Sequence, residues 1–418
     1  MKTAILRDRF SAVVNSGYAT ITAASAGLLL IVLVMAGRFL NAADYGRFSY
    51  ALAVATIVET VMDVGLGHVT VRAVARDTSS APSLFRHILG LKLVWVTGGL
   101  AILFVAAPVL RRDPVVVEMC YLLGLSAAAR SYVVTARGLL QGLGRFDLEA
   151  VAALSDRGLL LVAGAVALLA GYGVIGLGVA FVIARVIVVV GVTLFLRGIL
   201  GAVRPRFDRQ VWRDLQAAAL PLGFFMIALN LYNYIDTVIL GAMRSDAEVG
   251  WYAAAYRIYE GLTYAPSILA ALLTPRLSYL FVHDRAKVGR LLARSLIAAA
   301  ALGAALGLTT IWLAPNGVAL LFGAQYEAAV RPLQILAGGA LFVFCTWILH
   351  AAAIATNLDR RLFTTTVAGF AVNVILNILF VPSFGIRGAA SATVAAEALT
   401  VALLLAQVRR QVAPPQPT

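Results

Sequence analysis

A chain of 418 residues that is 61% apolar and only 13% charged lies far from soluble composition, which sits near half apolar and a quarter charged. Disordered, collagen-like and disulfide-scaffold classes are excluded, as is a soluble enzyme of ordinary composition. The formal net charge is +14, but the basic residues fall in short stretches between apolar runs, so an orientation signal explains them and nucleic-acid binding is not expected.

A helix rising about 1.5 Å per residue needs about 20 apolar residues to cross about 30 Å of hydrocarbon. On that measure the first half holds six spans, near residues 13–37, 46–69, 87–109, 115–139, 152–171 and 174–197. A basic connector over 198–213, carrying Arg204, Arg206, Arg209 and Arg213, closes that half. The second half holds six more, near 214–241, 249–274, 291–314, 331–355, 362–382 and 386–408. Nothing alternates with the period of two that a membrane barrel needs. The expected fold is an all-α polytopic membrane protein of twelve transmembrane helices in two six-helix lobes. The expected divisions are an N-terminal lobe over 1–200, a cytoplasmic basic linker over 201–213, a C-terminal lobe over 214–410 and a disordered tail over 411–418. Lys and Arg concentrate in alternate connectors, which predicts cytoplasmic termini. Cys120 and Cys345 lie inside apolar runs, so no disulfide framework is expected.

The halves share a repeat. Asp44-Tyr45-Gly46-Arg47-Phe48 with Ala51 matches Glu248-Val249-Gly250-Trp251-Tyr252 with Ala255, and the same offset carries Arg72 onto Arg276. Later, Gly173-Val174-Ile175-Gly176 with Ala180 matches Gly385-Ile386-Arg387-Gly388 with Ala392. An even number of spans separates the copies, so both halves enter the membrane the same way. The implied pseudo-two-fold axis lies along the membrane normal, an arrangement that in transporters puts the substrate between two bundles.

These motifs carry a resemblance. Asp44-Tyr45-Gly46, then Asp63-Val64-Gly65-Leu66-Gly67 with Arg72 and Arg76, is similar to the amino-terminal signature of bacterial polysaccharide-repeat flippases. Those proteins belong to the multidrug/oligosaccharidyl-lipid/polysaccharide exporter superfamily. Ile235-Asp236-Thr237-Val238-Ile239-Leu240-Gly241, the run Glu248 to Tyr256, Leu321-Phe322-Gly323 with Tyr326, and Gly385-Ile386-Arg387-Gly388-Ala389-Ala390 extend it over nearly the whole chain. The resemblance implies a V-shaped pair of lobes moving an undecaprenyl-pyrophosphate-linked oligosaccharide from the inner to the outer leaflet of the bacterial inner membrane. It also implies a polysaccharide polymerase or another assembly protein as partner. Related lipid II flippases usually have fourteen helices, against twelve counted here.

Ionisable groups at bilayer depth are costly and so face a cavity or a partner. Arg130, Arg185 and Arg257 suit a pyrophosphate, because guanidinium presents a planar fork and stays charged when poorly hydrated. Equally, each could close an intramembrane ion pair. Glu260 lies three residues beyond Arg257 on one helix face, and the repeat offset sets Arg185 against Glu397. Glu59 and Asp63, one turn apart, either share a proton or Na⁺ as coupling ion or separately tether an arginine and the Gly65–Gly67 turn. Glu260 and Glu397 complete the ion-coupling candidates. Asp236 reads as a hydrogen bond to the next loop.

Tyr252, Tyr256 and Tyr259 recur on one helix face, as do Asn373 and Asn377, while Asn230 and Asn233 mark the seventh span. Tyrosine stacks on sugar rings and asparagine binds hydroxyls, so these could line a sugar cavity; the same side chains also join helices. The four histidines are scattered and no spacing resembles a zinc site. No P-loop is present, so no resident metal and no nucleotide cofactor are expected, only H⁺ or Na⁺. Two other readings stand beside the flippase. A multidrug antiporter would favour a carboxylate-rich cavity with few arginines. A membrane glycosyltransferase would need a larger outer loop than the one near 315–330.

Overall fold

The computed structural model describes residues 17–18, 21–22, 25–201 and 203–412. The first residues of the first predicted span lie outside the described residues. So does the expected tail over 411–418, apart from Gln411 and Val412, which end the last helix. In order the helices are α1 (Ala26–Phe39), α2 (Ala42–Asp63), α3 (Leu66–Arg76), α4 (Ala81–Leu110), α5 (Pro114–Gly142) and α6 (Phe146–Leu169). They continue as α7 (Gly173–Leu200), α8 (Arg209–Met243), α9 (Asp246–His283), α10 (Arg285–Leu321), α11 (Val330–Gly338), α12 (Ala340–Ala355) and α13 (Asp359–Val412). No strand occurs among the described residues. Nine of their helical segments are long and apolar enough to cross a bilayer, ten when the bent pair Ala324–Gly338 and Ala340–Ala355 counts as one span. This is an all-α, multi-pass membrane protein, as lipid demands of a chain that must pair every backbone group internally.

Three spans depart from straight helices. The second breaks after Asp63, where Val64 (φ 42°) and Gly65 (φ 81°) turn the backbone left-handed between α2 and α3. The tenth bends by 46° between α11 and α12. The last two spans run together as α13, interrupted only at Gly385 (φ 57°, ψ −135°), inside the gap that the apolar pattern leaves between them. Elsewhere, starts follow local chemistry. Asp113 accepts the Val115 N–H at 2.9 Å ahead of Pro114, and Ser245 with Glu248 forms a capping box at the start of α9. In the connector before α10, hydrogen bonds from the Lys287 side chain and backbone hold the Asp284 carboxyl below the usual carboxylate range.

The described chain divides into two compact units. The first takes residues up to Leu40 together with Tyr50–Asn230, the second Asn41–Ser49 together with the residues from Leu231 onward. In the first, α7 packs on α5 and α6, and α5 on α3 and α4, around Phe85, Leu89, Val133, Leu140, Val188 and Leu196. In the second, α12 packs on α9, α10 and α13. Here the two copies of the repeated signature meet. A Cβ built on Gly46 would overlap the carbonyl oxygen of Asp246 and lie 2.9 Å from the Gly250 nitrogen. One built on Gly250 would overlap the carbonyl oxygen of Ala42 and lie 3.1 Å from the Gly46 nitrogen. The contact is reciprocal under the repeat offset, and only glycine at both positions lets the backbones come this close. Arg47 fastens the crossing, its Nε 3.1 Å from Asp246 Oδ2, and Tyr45 packs on Phe322 and Tyr326 with ring centroids 6.0 Å away.

Candidate functional site

Each unit contains its own largely buried polar cluster. In the first unit, Glu59 and Asp63 lie one turn apart on α2 yet take different partners. Arg130 of α5 donates from Nη1 to both Glu59 oxygens, at 2.7 and 2.8 Å. Asp63 is ion-paired with Lys92 of α4 and accepts the Gly67 N–H at 3.5 Å across the α2–α3 break. With a cation on each carboxylate, the pair does not share one site. Arg185 of α7 is ion-paired with Asp156 of α6, both side chains nearly sealed at 6% and 4% exposure. Glu149 accepts Arg137 Nε at 2.8 Å and the Thr22 hydroxyl at 2.7 Å. Arg157 reaches Ser25 Oγ at 2.8 Å. Arg130, Glu59 and Arg157 all lie within electrostatic reach of Arg185, so helices α2, α5, α6 and α7 hold one connected group of charges. Within its own pair Arg130 is the more accessible partner, its side chain 34% exposed against 12% for Glu59.

Lys92, Arg137, Glu149, Asp156 and Arg157 went unmarked in the sequence because they sit near the predicted span ends, where charges read as interfacial. One signal could have found two of them: Glu149 and Asp156 are seven residues apart, hence on one helix face.

In the second unit Asp236 of α8 is buried rather than turned to a loop. It accepts from Tyr252 Oη of α9 at 2.9 Å, and from Thr393 Oγ1 at 2.6 Å and Asn377 Nδ2 at 2.8 Å of α13. Asn377 also bonds the Asn373 carbonyl at 2.9 Å, and both asparagines are fully buried. Glu397 of α13 accepts from Tyr232 Oη at 2.8 Å and Thr346 Oγ1 at 3.0 Å. Every donor to these two carboxylates among the described residues is neutral. Arg257, by contrast, is buried and donates to Glu260 at 2.6 Å on its own helix.

The tyrosine stripe is a continuous series of rings, Tyr252 to Tyr256 at 6.1 Å and Tyr256 to Tyr259 at 6.0 Å between centroids. Only its middle member is half-buried; Tyr252 and Tyr259 are enclosed. So Tyr252 and Asn377 bond a carboxylate inside the unit, and Asn373 accepts from Asn377. Asn230, half-buried, bonds the Met226 carbonyl of its own helix at 3.0 Å, and Asn233 is exposed. Among the described residues no group of three His, Cys, Asp or Glu could hold a metal.

Among the solved structures that share the fold are an inward-facing multidrug resistance MATE family transporter of the MOP superfamily and the lipid II flippase MurJ in an inward closed conformation. The first has a TM-score of 0.76 at 16% identity, covering 93% of this chain and 94% of that one. The second has a TM-score of 0.76 at 15% identity, covering 94% of this chain and 87% of that one. Two curated proteins of Haloferax volcanii match part of the sequence. "Probable flippase AglR" is 32% identical over 39% of this chain and 35% of its own length. A "Probable low-salt glycan biosynthesis flippase" is 24% identical over 41% of this chain and 37% of its own. The match thus spans about a third of each relative. The family model described as "Polysaccharide biosynthesis protein" aligns with residues 15–281, well over half of the sequence, and the chain belongs to that family.

Proposed function

We propose that the chain is a flippase for a lipid-linked oligosaccharide. It carries an undecaprenyl-pyrophosphate-linked repeat unit from the inner to the outer leaflet of the bacterial inner membrane by alternating access, driven by an ion gradient, with both termini cytoplasmic. It performs transport rather than covalent chemistry and hands its product to a polysaccharide polymerase or assembly protein. The names of its relatives support a glycan-lipid cargo.

The observation that carries this reading is the Glu59–Arg130 pair at the edge of the charge group. A pyrophosphate is a stronger guanidinium ligand than one carboxylate, because it offers several oxygens to the planar fork. The cargo takes Arg130 from Glu59, while Asp156 keeps Arg185 in place behind it. Phosphate contact thus falls to Arg130, since Arg185 is sealed together with Asp156 and the Arg257 side chain is only 8% exposed behind a half-buried Glu260. A charge-assisted hydrogen bond contributes about 1.5–3 kcal/mol, so Arg130→Ala is expected to weaken transport by roughly 10–100-fold. The test is a leaflet assay in proteoliposomes with a pyrophosphate-linked glycolipid; an Arg130→Ala protein as fast as wild type would remove the phosphate role.

Coupling falls to the carboxylates without a cationic partner. Glu59, Asp63 and Glu260 are paired with Arg130, Lys92 and Arg257, whereas Asp236 and Glu397 meet only hydroxyls and amides. A carboxylate enclosed among neutral groups is stabilised by taking up a proton or a small cation. Asp236→Asn keeps the shape and removes the charge. Its transport rate is expected to lose the stimulation that imposed H⁺ or Na⁺ gradients give wild type. Unchanged stimulation in both Asp236→Asn and Glu397→Gln would overturn this assignment.

A further inference from the structure

A cavity of about 690 Å³ opens at one end of the second unit, and neither Asp236 nor Glu397 is among its lining residues. Three connectors build it: the start of α9 with Glu248 and Trp251, the 3-10 turn with Gln325 and Glu327, and the Gly385 break with Phe384 and Arg387. All three lie in stretches that the positive-inside pattern assigns to the outer face.

The walls are fixed before any ligand arrives. Trp251 Nε1 donates to the Gln325 carbonyl at 3.0 Å, which sets the plane of the indole. Arg244 donates to the Val381 carbonyl at 2.7 and 3.1 Å and to the Pro382 carbonyl at 2.6 Å, clamping the turn ahead of Phe384. The capping box ties Glu248 to Ser245. Against this frame, the side chains of Glu327 and Arg387 are exposed. The volume falls within the usual range for small-ligand sites, about 300–1,000 Å³. An oriented indole, an exposed phenyl ring, the carboxylates of Glu248 and Glu327 and the guanidiniums of Arg331 and Arg387 around one such hollow match the chemistry of a sugar. A pyranose offers an apolar C–H face to aromatic rings and a rim of hydroxyls to charged hydrogen-bonding groups.

We infer that this cleft is a saccharide-binding site that holds one or two sugar residues of a glycan at the outer face. The site rests on the glycan-lipid reading for its biological cargo, but its binding is independent of transport. It retains the sugar end of a delivered repeat unit after release from the membrane interior. Preorganised walls favour such binding because little side-chain freedom is lost when the sugar docks.

The test is saturation-transfer NMR on the full chain in detergent or nanodiscs, with chitobiose as a neutral probe and digalacturonate as an acidic one. Transfer to at least one probe is expected in wild type, with binding weakened roughly tenfold by Trp251→Ala. Arg387→Gln and Glu327→Gln, at exposed positions, should each weaken it several-fold. Absence of transfer to both probes, or equal transfer in wild type and all three variants, overturns the site. If glycolipid transport fails in wild type while these probes bind and respond to the variants, the flippase reading falls and the cleft stands.

Discussion

Gly46→Ala and Gly250→Ala are each expected to disrupt the second unit severely, although each adds only one methyl group. At both positions the new Cβ meets backbone of the opposite helix, not the end of a flexible side chain. Relief requires α2 and α9 to move apart, breaking the Arg47–Asp246 contact and loosening Tyr45 from Phe322 and Tyr326. Overpacking of this kind costs about 1–3 kcal/mol even where side chains can yield, and backbone yields less. Size-exclusion profiles and thermal unfolding in detergent should show loss of the monodisperse species for either variant. Gly98→Ala, whose Cβ would meet nothing within 4 Å, serves as control and should behave as wild type. The double variant should cost less than the sum of the singles, because one separation of the helices accommodates both methyl groups.

Asp156→Ala is expected to be the most damaging single change in the first unit. It leaves the Arg185 guanidinium enclosed with its counter-charge removed, and breaking a buried pair from one side typically costs about 3–5 kcal/mol. Thermal unfolding of Asp156→Ala should fall well below wild type. The joint replacement Asp156→Leu with Arg185→Met removes both charges, fills similar volume and should recover most of the loss. The exposed pair Arg145–Asp147, with half and two-fifths of its side chains accessible, should show no measurable loss when broken. The joint variant also separates two roles. If Arg185 only supports the cluster, the doubly apolar protein transports its cargo nearly as wild type does; if Arg185 touches phosphate, stability returns and transport does not.

The helical layout was legible because lipid imposes length and apolarity on every span, and because glycine-marked turns such as Gly385 punctuate the pattern. The repeat was legible too, in Gly46 and Gly250, although only the structure shows that these glycines contact each other. The site was less so. Local spacing correctly pairs Arg257 with Glu260, three residues apart, but it carries no information on Asp236. That carboxylate takes its donors from Asn377 and Thr393, 141 and 157 residues away. Tyr252 and Asn377 look like sugar ligands from residue type alone, yet a carboxylate on another helix uses their hydrogen bonds first. Asp156 was hidden by its place near a predicted span end, and with it the reason that Arg185 is enclosed.

The most direct measurement is the transbilayer rate of a pyrophosphate-linked glycolipid in proteoliposomes containing the purified chain, read by enzymatic or chemical access to the sugar in one leaflet. The account predicts movement far faster than in protein-free vesicles, slowed when Arg130 is replaced by alanine. A glycolipid that stays in its leaflet at the protein-free rate, with the chain shown to be folded and reconstituted, would contradict it.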